Sequence, residues 1–437
     1  MDSKALTKIQ TIALIAIVVV AAVGGGVAYV LWSGQSRPQD FIRIGVCADL
    51  DMPQGKDAWQ GAVLAAEQIN VQGGLLGRNI TIVAEDDDSF AGPDIAVASN
   101  AMTKLVTVDQ ADYIISGGQF LIPYQDICAE HRKILLSVYG TIDNYTQRVL
   151  DDYDKYKYCF RTSPCNQTTA NLGIIGEILT LGNYTGFTKV ALLQQDFGAS
   201  SRQLAATIAS SIHEHGMDVV YSGFVPVATT DFASNFAAIE ESGAEILFPI
   251  IVTDAVRPLV IEWYDRQSPF VLWGVMWQAA GSDFWMLTEE KCDAVTFAGQ
   301  PAVAGYPLTN KTMPTRDAYV QRWGEVPTDV ANGAYDALRF ILSDAIKRAG
   351  TTETEAVIEA LEKTNVETSS ARHFVFTSSH DVMVGSGSVN DPAGDYVVMC
   401  NFQWQNGTQV PVKPEAIMKE AGATYKYQLW PGPWDTK

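Results

Sequence analysis

Residues 42–87 read IRIGVCADLDMPQGKDAWQGAVLAAEQINVQGGLLGRNITIVAEDD. Three elements follow one another in this stretch. Ile42–Val46 is a short β-type run. Ala58, Ala62, Ala65 and Ile69 then recur at helical spacing, and Gly73-Gly74 supplies the stop. Ile80–Ala84 is a second β-type run.

The same rhythm continues outward. Ile95, Ala98, Met102, Leu105 and Val106 form a helix face, Tyr113–Ile115 a strand, Ile122–His131 a helix and Ile134–Val138 a strand. Such a βαβαβαβ order predicts a parallel sheet covered by helices on both faces. After Pro164 it restarts. Helices are expected at Ala170–Leu181, around Leu204, Ile208 and Ile212, at Phe232–Ser242 and at Val256–Asp265. Strands are expected at Val190–Leu193, Val219–Tyr221, Ile246–Ile251 and Phe270–Gly274. Two more helices follow, near Ala331–Ala349 and Thr354–Lys363, and the chain returns to β in His373–Thr377 and Tyr396–Trp404. Two α/β lobes joined by several strands predict a hinged cleft. Ligands favour such interfaces and the C-terminal ends of parallel strands.

Upstream, no charged residue occurs between Lys8 and Arg37. About twenty apolar residues suffice to cross a bilayer as a helix. The expectation is a cytoplasmic N-terminus at 1–8, a transmembrane anchor at 9–32 and a linker at 33–40, with a cleaved secretory signal peptide as the alternative. Lys4 and Lys8 keep the N-terminus inside, and Trp32 is placed as an interfacial anchor. Asn-x-Ser/Thr sequons at Asn79, Asn144, Asn166, Asn183, Asn310 and Asn406 fit an extracellular bulk of the chain and suggest a glycoprotein.

The net charge of −20 argues against nucleic acid, which demands Lys and Arg to displace counterions. Cys159 and Cys165 flank a short segment and could close a small disulfide loop, whereas Cys47, Cys128, Cys292 and Cys400 are isolated. The acidic run Glu85–Asp88 lacks the alternation of a Ca²⁺ loop, and the five His are scattered, so no metal site and no cofactor is expected. No grouping of residues argues for nucleophilic catalysis, so an enzyme is not expected.

The opening segment resembles that of the branched-chain-amino-acid-type solute-binding proteins of ABC transporters. LLSVYGTIDNYTQR (135–148), YCFRTSP (158–164), TTDFASNFAAIEESGAEIL (229–247), AYDALRFILSDAIKRAG and AVIEALEKT resemble the same family in the same order. The resemblance implies a type I periplasmic-binding-protein fold, with two α/β lobes joined by three crossover strands. The N-lobe would be 41–162 and 300–368, and the C-lobe 163–299 and 369–437.

By the same resemblance, ligand would be held by the loop SGGQF, with Gln119 and Phe120, and by YGT, with Tyr139, Gly140 and Thr141. Phe197 in QQDFG and Trp277 with Gln278 in VMWQ would face them from the C-lobe. Gln54 would close the cleft from the N-lobe. The family's Ser in the first loop and its acid after the C-lobe strand have no counterpart here. That favours a flatter or less charged ligand, such as an amide or an aromatic acid. The expected function is an extracellular, membrane-anchored receptor of an ABC importer, serving a permease with separate ATPase subunits and suited to an archaeal surface. The competing expectation is a ligand-sensing ectodomain reporting to a signalling partner, because one fold hosts several functions.

Overall fold

The computed structural model describes residues 41–89, 94–385, 396–397, 400–428 and 434–436. The expected anchor at 9–32, with its flanks 1–8 and 33–40, lies outside the described residues. Among the described residues no helix is long and apolar enough to cross a membrane.

The opening segment folds as its pattern predicts, into strand β1 (Phe41–Ala48), helix α1 (Pro53–Val71) and strand β2 (Asn79–Asp86). Helix α2 (Ile95–Thr107) leads to β3 (Tyr113–Ser116), and α3 (Leu121–Glu130) to β4 (Ile134–Ser137). A fifth strand, β5 (Cys159–Arg161), completes a sheet of order β2-β1-β3-β4-β5. All its pairings are parallel. Asp94 starts α2 by accepting the Ala96 N–H at 2.7 Å, satisfying one of the helix's unpaired donors.

Helix α4 (Gln167–Thr185) opens the second lobe, capped by Asn166, whose Oδ1 accepts the Thr169 N–H at 2.8 Å. Strands β6 (Lys189–Gln195), β7 (Asp218–Val225), β8 (Ile246–Ile251), β9 (Val271–Met276) and β10 (Thr296–Gly299) follow. Helix α5 (Ala199–His213) connects β6 to β7. The chain then returns to the first lobe, where helix α6 (Asp329–Asp336) lies along α1. Gly61 permits this approach, since a Cβ there would sit 2.1 Å from the Ala331 carbonyl oxygen. Two short strands, β11 (Asn365–Val366) and β12 (Phe374–Val375), pair with each other. Strands β13 (Cys400–Gln405) and β14 (Thr408–Lys413) close the second sheet in the order β14-β13-β10-β9-β8-β6-β7. Both β10–β13 and β13–β14 are antiparallel.

Each lobe has its own buried core. Ile44, Val46, Ile114, Leu136, Leu338 and Val357 belong to the first. Phe374, Phe376 and Val382 bury in that same core, so this stretch packs with the first lobe rather than the second, to which 369–437 was assigned. The reason is the β11–β12 pair, which holds this stretch on the first lobe.

Cys159 and Cys165 do not form the expected disulfide; all six cysteines are free and buried. Cys159 lies on an extended strand inside the first core, next to Tyr145, while Cys165 lies beyond the crossover into the second lobe. An extended strand carries successive residues apart rather than bringing them together.

Candidate ligand-binding cleft

The loops that leave the C-terminal ends of the parallel strands meet between the lobes. After β4 come Tyr139, Gly140 and Thr141; after β9 come Trp277 and Gln278. The Tyr139 and Trp277 rings are edge to face, with centroids 6.1 Å apart and planes at 83°. This is a favoured arrangement of aromatic quadrupoles. Tyr139 is half-buried, and burial pushes its phenol up to about 12, so it stays neutral. Trp277 stays 37 % exposed, and with Phe197, Val227 and Ile142 it adds to the exposed apolar surface of these loops.

The loop after β4 is held from below by a buried cation. Arg161, wholly buried at the end of β5, donates to the carbonyls of Gly140 at 2.5 Å and Ile142 at 2.6 Å. Its Nε lies 3.0 Å from Asp381 Oδ1. Asp381 Oδ2 also accepts from Thr146 Oγ1 and Asn166 Nδ2, each at 2.9 Å. One guanidinium therefore joins the site loop, the first crossover and the stretch leading to the third. Gly140 has φ +90, a region that favours glycine. Thr141 is exposed, its carbonyl accepts the Gln167 N–H at 2.6 Å, and its hydroxyl makes no hydrogen bond among the described residues.

The loop after β3 explains its own glycines. A Cβ on Gly117 would lie 2.7 Å from Ala58, and one on Gly118 would lie 2.0 Å from Asp87 Oδ2. Asp87 is buried, accepts from Tyr124 Oη at 2.6 Å, and has its carboxyl pushed up by burial. Gln119 is exposed and tied to the loop after β2, its Nε2 donating to the Ser89 carbonyl at 3.2 Å. Phe120 packs onto the first core. Gln54 is half-buried at the start of α1, with its Oε1 shielded from solvent and unbonded. The following Gly55 lets α1 sit on the Asp49 carbonyl, which a Cβ would approach to 1.9 Å.

On the second lobe, Asp196 braces the Phe197 loop. It takes a two-pronged bond from Arg202 at 2.8 and 3.0 Å, and that bond holds its carboxyl down to about 2. Phe197 is 55 % exposed. Gln278 does not present its amide to the cleft. Its Oε1 accepts the Arg257 N–H at 2.9 Å and its Nε2 donates to Asp254 Oδ1 at 3.1 Å. It positions the loop after β8.

The family model for periplasmic binding proteins matches residues 42–386. The chain belongs to the periplasmic binding protein family. A Leu/Ile/Val-binding protein homologue of Brucella abortus is 27% identical over 215 residues, covering 47% of this chain and 53% of that protein. The chain thus spans about half the length of the curated relatives it matches. Among solved structures, the branched-chain amino acid substrate-binding protein LivJ of Streptococcus pneumoniae, in complex with isoleucine, has a TM-score of 0.65 at 19% identity. That match covers 86% of this chain and 100% of that one. A solute-binding protein of R. palustris in complex with benzoate has a TM-score of 0.65 at 14% identity, covering 85% and 95%. These likenesses show the fold, which is the α/β type I periplasmic-binding fold.

Several working residues of this periplasmic binding protein escaped the sequence pattern. Arg161 stood in YCFRTSP, and a charged residue inside a strand was its only signal. Gln195 is buried at the end of β6 and ties the loops after β7 and β8, donating to the Val227 carbonyl at 3.1 Å and to Thr253 Oγ1 at 2.6 Å. Asp254 brings an acid beside Gln278 from a different strand, which no local motif announces.

Three acids of the Glu85–Asp88 run are used within the fold. Glu85 pairs with Lys104, Asp86 accepts the Leu50 N–H at 3.2 Å, and Asp87 holds Tyr124. Five sequon asparagines are exposed. Asn166 is half-buried and bonded on both sides of its amide.

Proposed function

We propose that the chain is the extracellular, membrane-anchored receptor of an ABC importer, and that it takes a small polar compound into the cleft between Tyr139 and Trp277. The ligand class is an amino acid or a related amide or aromatic acid. The edge-to-face pair between the lobes is the observation that carries this reading. A flat ligand sliding between the two rings would exchange one aromatic contact for two. Thr141 offers an unbonded hydroxyl, and Gly140 a backbone N–H, for the ligand's carboxylate or carbonyl. The similarity to a Leu/Ile/Val-binding homologue and to a solute-binding protein in complex with benzoate supports the amino-acid and aromatic-acid readings.

The segment 9–32 would anchor the receptor, and a permease with separate ATPase subunits would receive the ligand. Closure needs only that ligand bind one arrangement of the lobes more tightly than the other. The test is a thermal-shift screen of the protein against amino acids, amides and aromatic acids. A ligand at 100 times its Kd stabilises by about 2.7 kcal/mol. Stabilisation by at least one of these classes is expected. Stabilisation by none of them would sink the reading.

A further inference from the structure

The second lobe lacks the acid expected after β9, yet an unpaired acid stands at the hinge side of the cleft. Asp329 is the first residue of α6, and its place follows from packing. A Cβ on Gly333 would lie 3.7 Å from the Val138 side chain, so this face of α6 covers the end of β4. Helix α6 starts at the cleft end of the lobe, where Thr328 Oγ1 donates to Asp57 Oδ2 at 2.7 Å near the start of α1. Asp329 is four residues before Gly333, hence on the same face and about 6 Å nearer the cleft. Asp329 therefore lies on the cleft side of Val138, toward the loop that carries Tyr139 and Gly140.

The carboxyl is poorly served by the protein. Asp329 Oδ1 is shielded from solvent and finds no hydrogen-bond donor. Burial raises the carboxyl to about 6, and the Gln300 backbone N–H offsets part of that cost. Its neighbours at the crossovers are the thiols of Cys165, beyond the first, and Cys400, at the start of β13; burial pushes both above the ordinary thiol range, so neither brings a charge to the carboxyl. A half-satisfied carboxylate gains most from an incoming cation or N–H. By contrast, Asp254 is exposed and already bonded to Gln278.

We propose that Asp329 is the acid of the cleft, receiving the ammonium or amide N–H of a ligand whose body lies against Tyr139 and Trp277. This rests on the function proposed above. It narrows the ligand to compounds carrying an N–H donor, and it replaces the acid missing after β9 with one from the opposite lobe.

The test compares matched pairs by calorimetric titration: L-phenylalanine with 3-phenylpropionate, and L-leucine with 4-methylpentanoate. The wild type is expected to prefer the amino member of at least one pair by tenfold or more. Asp329→Asn should erase that preference while leaving the deaminated member's affinity within threefold. An unchanged melting temperature, or a higher one, would show that the variant folds. If the preference survives in Asp329→Asn, or disappears in Asp254→Asn instead, the assignment is overturned while the receptor reading stands. A wild type that prefers the deaminated members also overturns it. Binding of no member of either pair counts against both.

Discussion

The Tyr139 ring presents to the Trp277 ring edge to face across the two lobes, at 6.1 Å between centroids. Each residue follows the C-terminal end of a parallel strand, so the contact marks where the two sheets point at one another. Ligand entering here must change the surroundings of Trp277, which is 37 % exposed, far more than those of the buried Trp263 and Trp273. Ligand addition is expected to shift tryptophan emission, and Trp277→Phe should remove most of that shift. An undiminished shift in the variant would place the ligand elsewhere.

The Arg161–Asp381 pair is buried and carries the loop after β4. Removing one member strands the other charge in the interior. Arg161→Met or Asp381→Asn should each cost about 3–5 kcal/mol in urea unfolding. The double variant should cost less than the sum of the two, because neither charge is then left alone. Strict additivity would mean that the two do not act as a pair.

Asp57 gives a pH dependence with a definite sign. Burial raises its carboxyl from 3.8 to about 6, against the hydrogen bond from Thr328. A group raised on folding contributes stability that is complete below its unfolded pKa and is lost as pH rises through the folded value. Relative to Asp57→Asn, the wild type should therefore lose stability between about pH 4 and 6. A shift of about two pH units corresponds to roughly 3 kcal/mol at most. Chemical denaturation at pH 4, 5, 6 and 7 measures it; a difference that is flat across that range contradicts the account.

Asn166 caps α4 with its Oδ1 and holds Asp381 with its Nδ2. A glycan on that nitrogen would compete with the ion-pair network at the crossover. Mass spectrometry of protein made in a glycosylating host should find glycans among Asn79, Asn144, Asn183, Asn310 and Asn406, with Asn166 unoccupied. Asn166→Ala should lower stability by about 1 kcal/mol, as loss of a helix cap does. Occupancy at Asn166 would contradict this.

The alternating strands and helices were legible because each element carries its own period. Ile42–Val46 and the Ala58–Ile69 face fell where β1 and α1 stand. The three-residue strand β5 carries too few residues to show a period. The β13–β14 hairpin was missed: Asn406-Gly407, both at positive φ, form its turn, but Asn406 was read only as the start of a sequon. At the cleft, Tyr139 and Trp277, which the structure brings together, were named from loop motifs. Arg161 and Asp254 were not, because their contacts join segments far apart in the chain. Gln278 was placed correctly at a strand end, but both ends of its amide turn to its own lobe.

The most direct test is the Kd of the most strongly stabilising ligand, measured by calorimetry for the wild type and for Trp277→Ala. Loss of an aromatic partner that also buries ligand surface should weaken binding by about tenfold or more, or roughly 1.4 kcal/mol. A Kd unchanged by Trp277→Ala would contradict a ligand held between Tyr139 and Trp277.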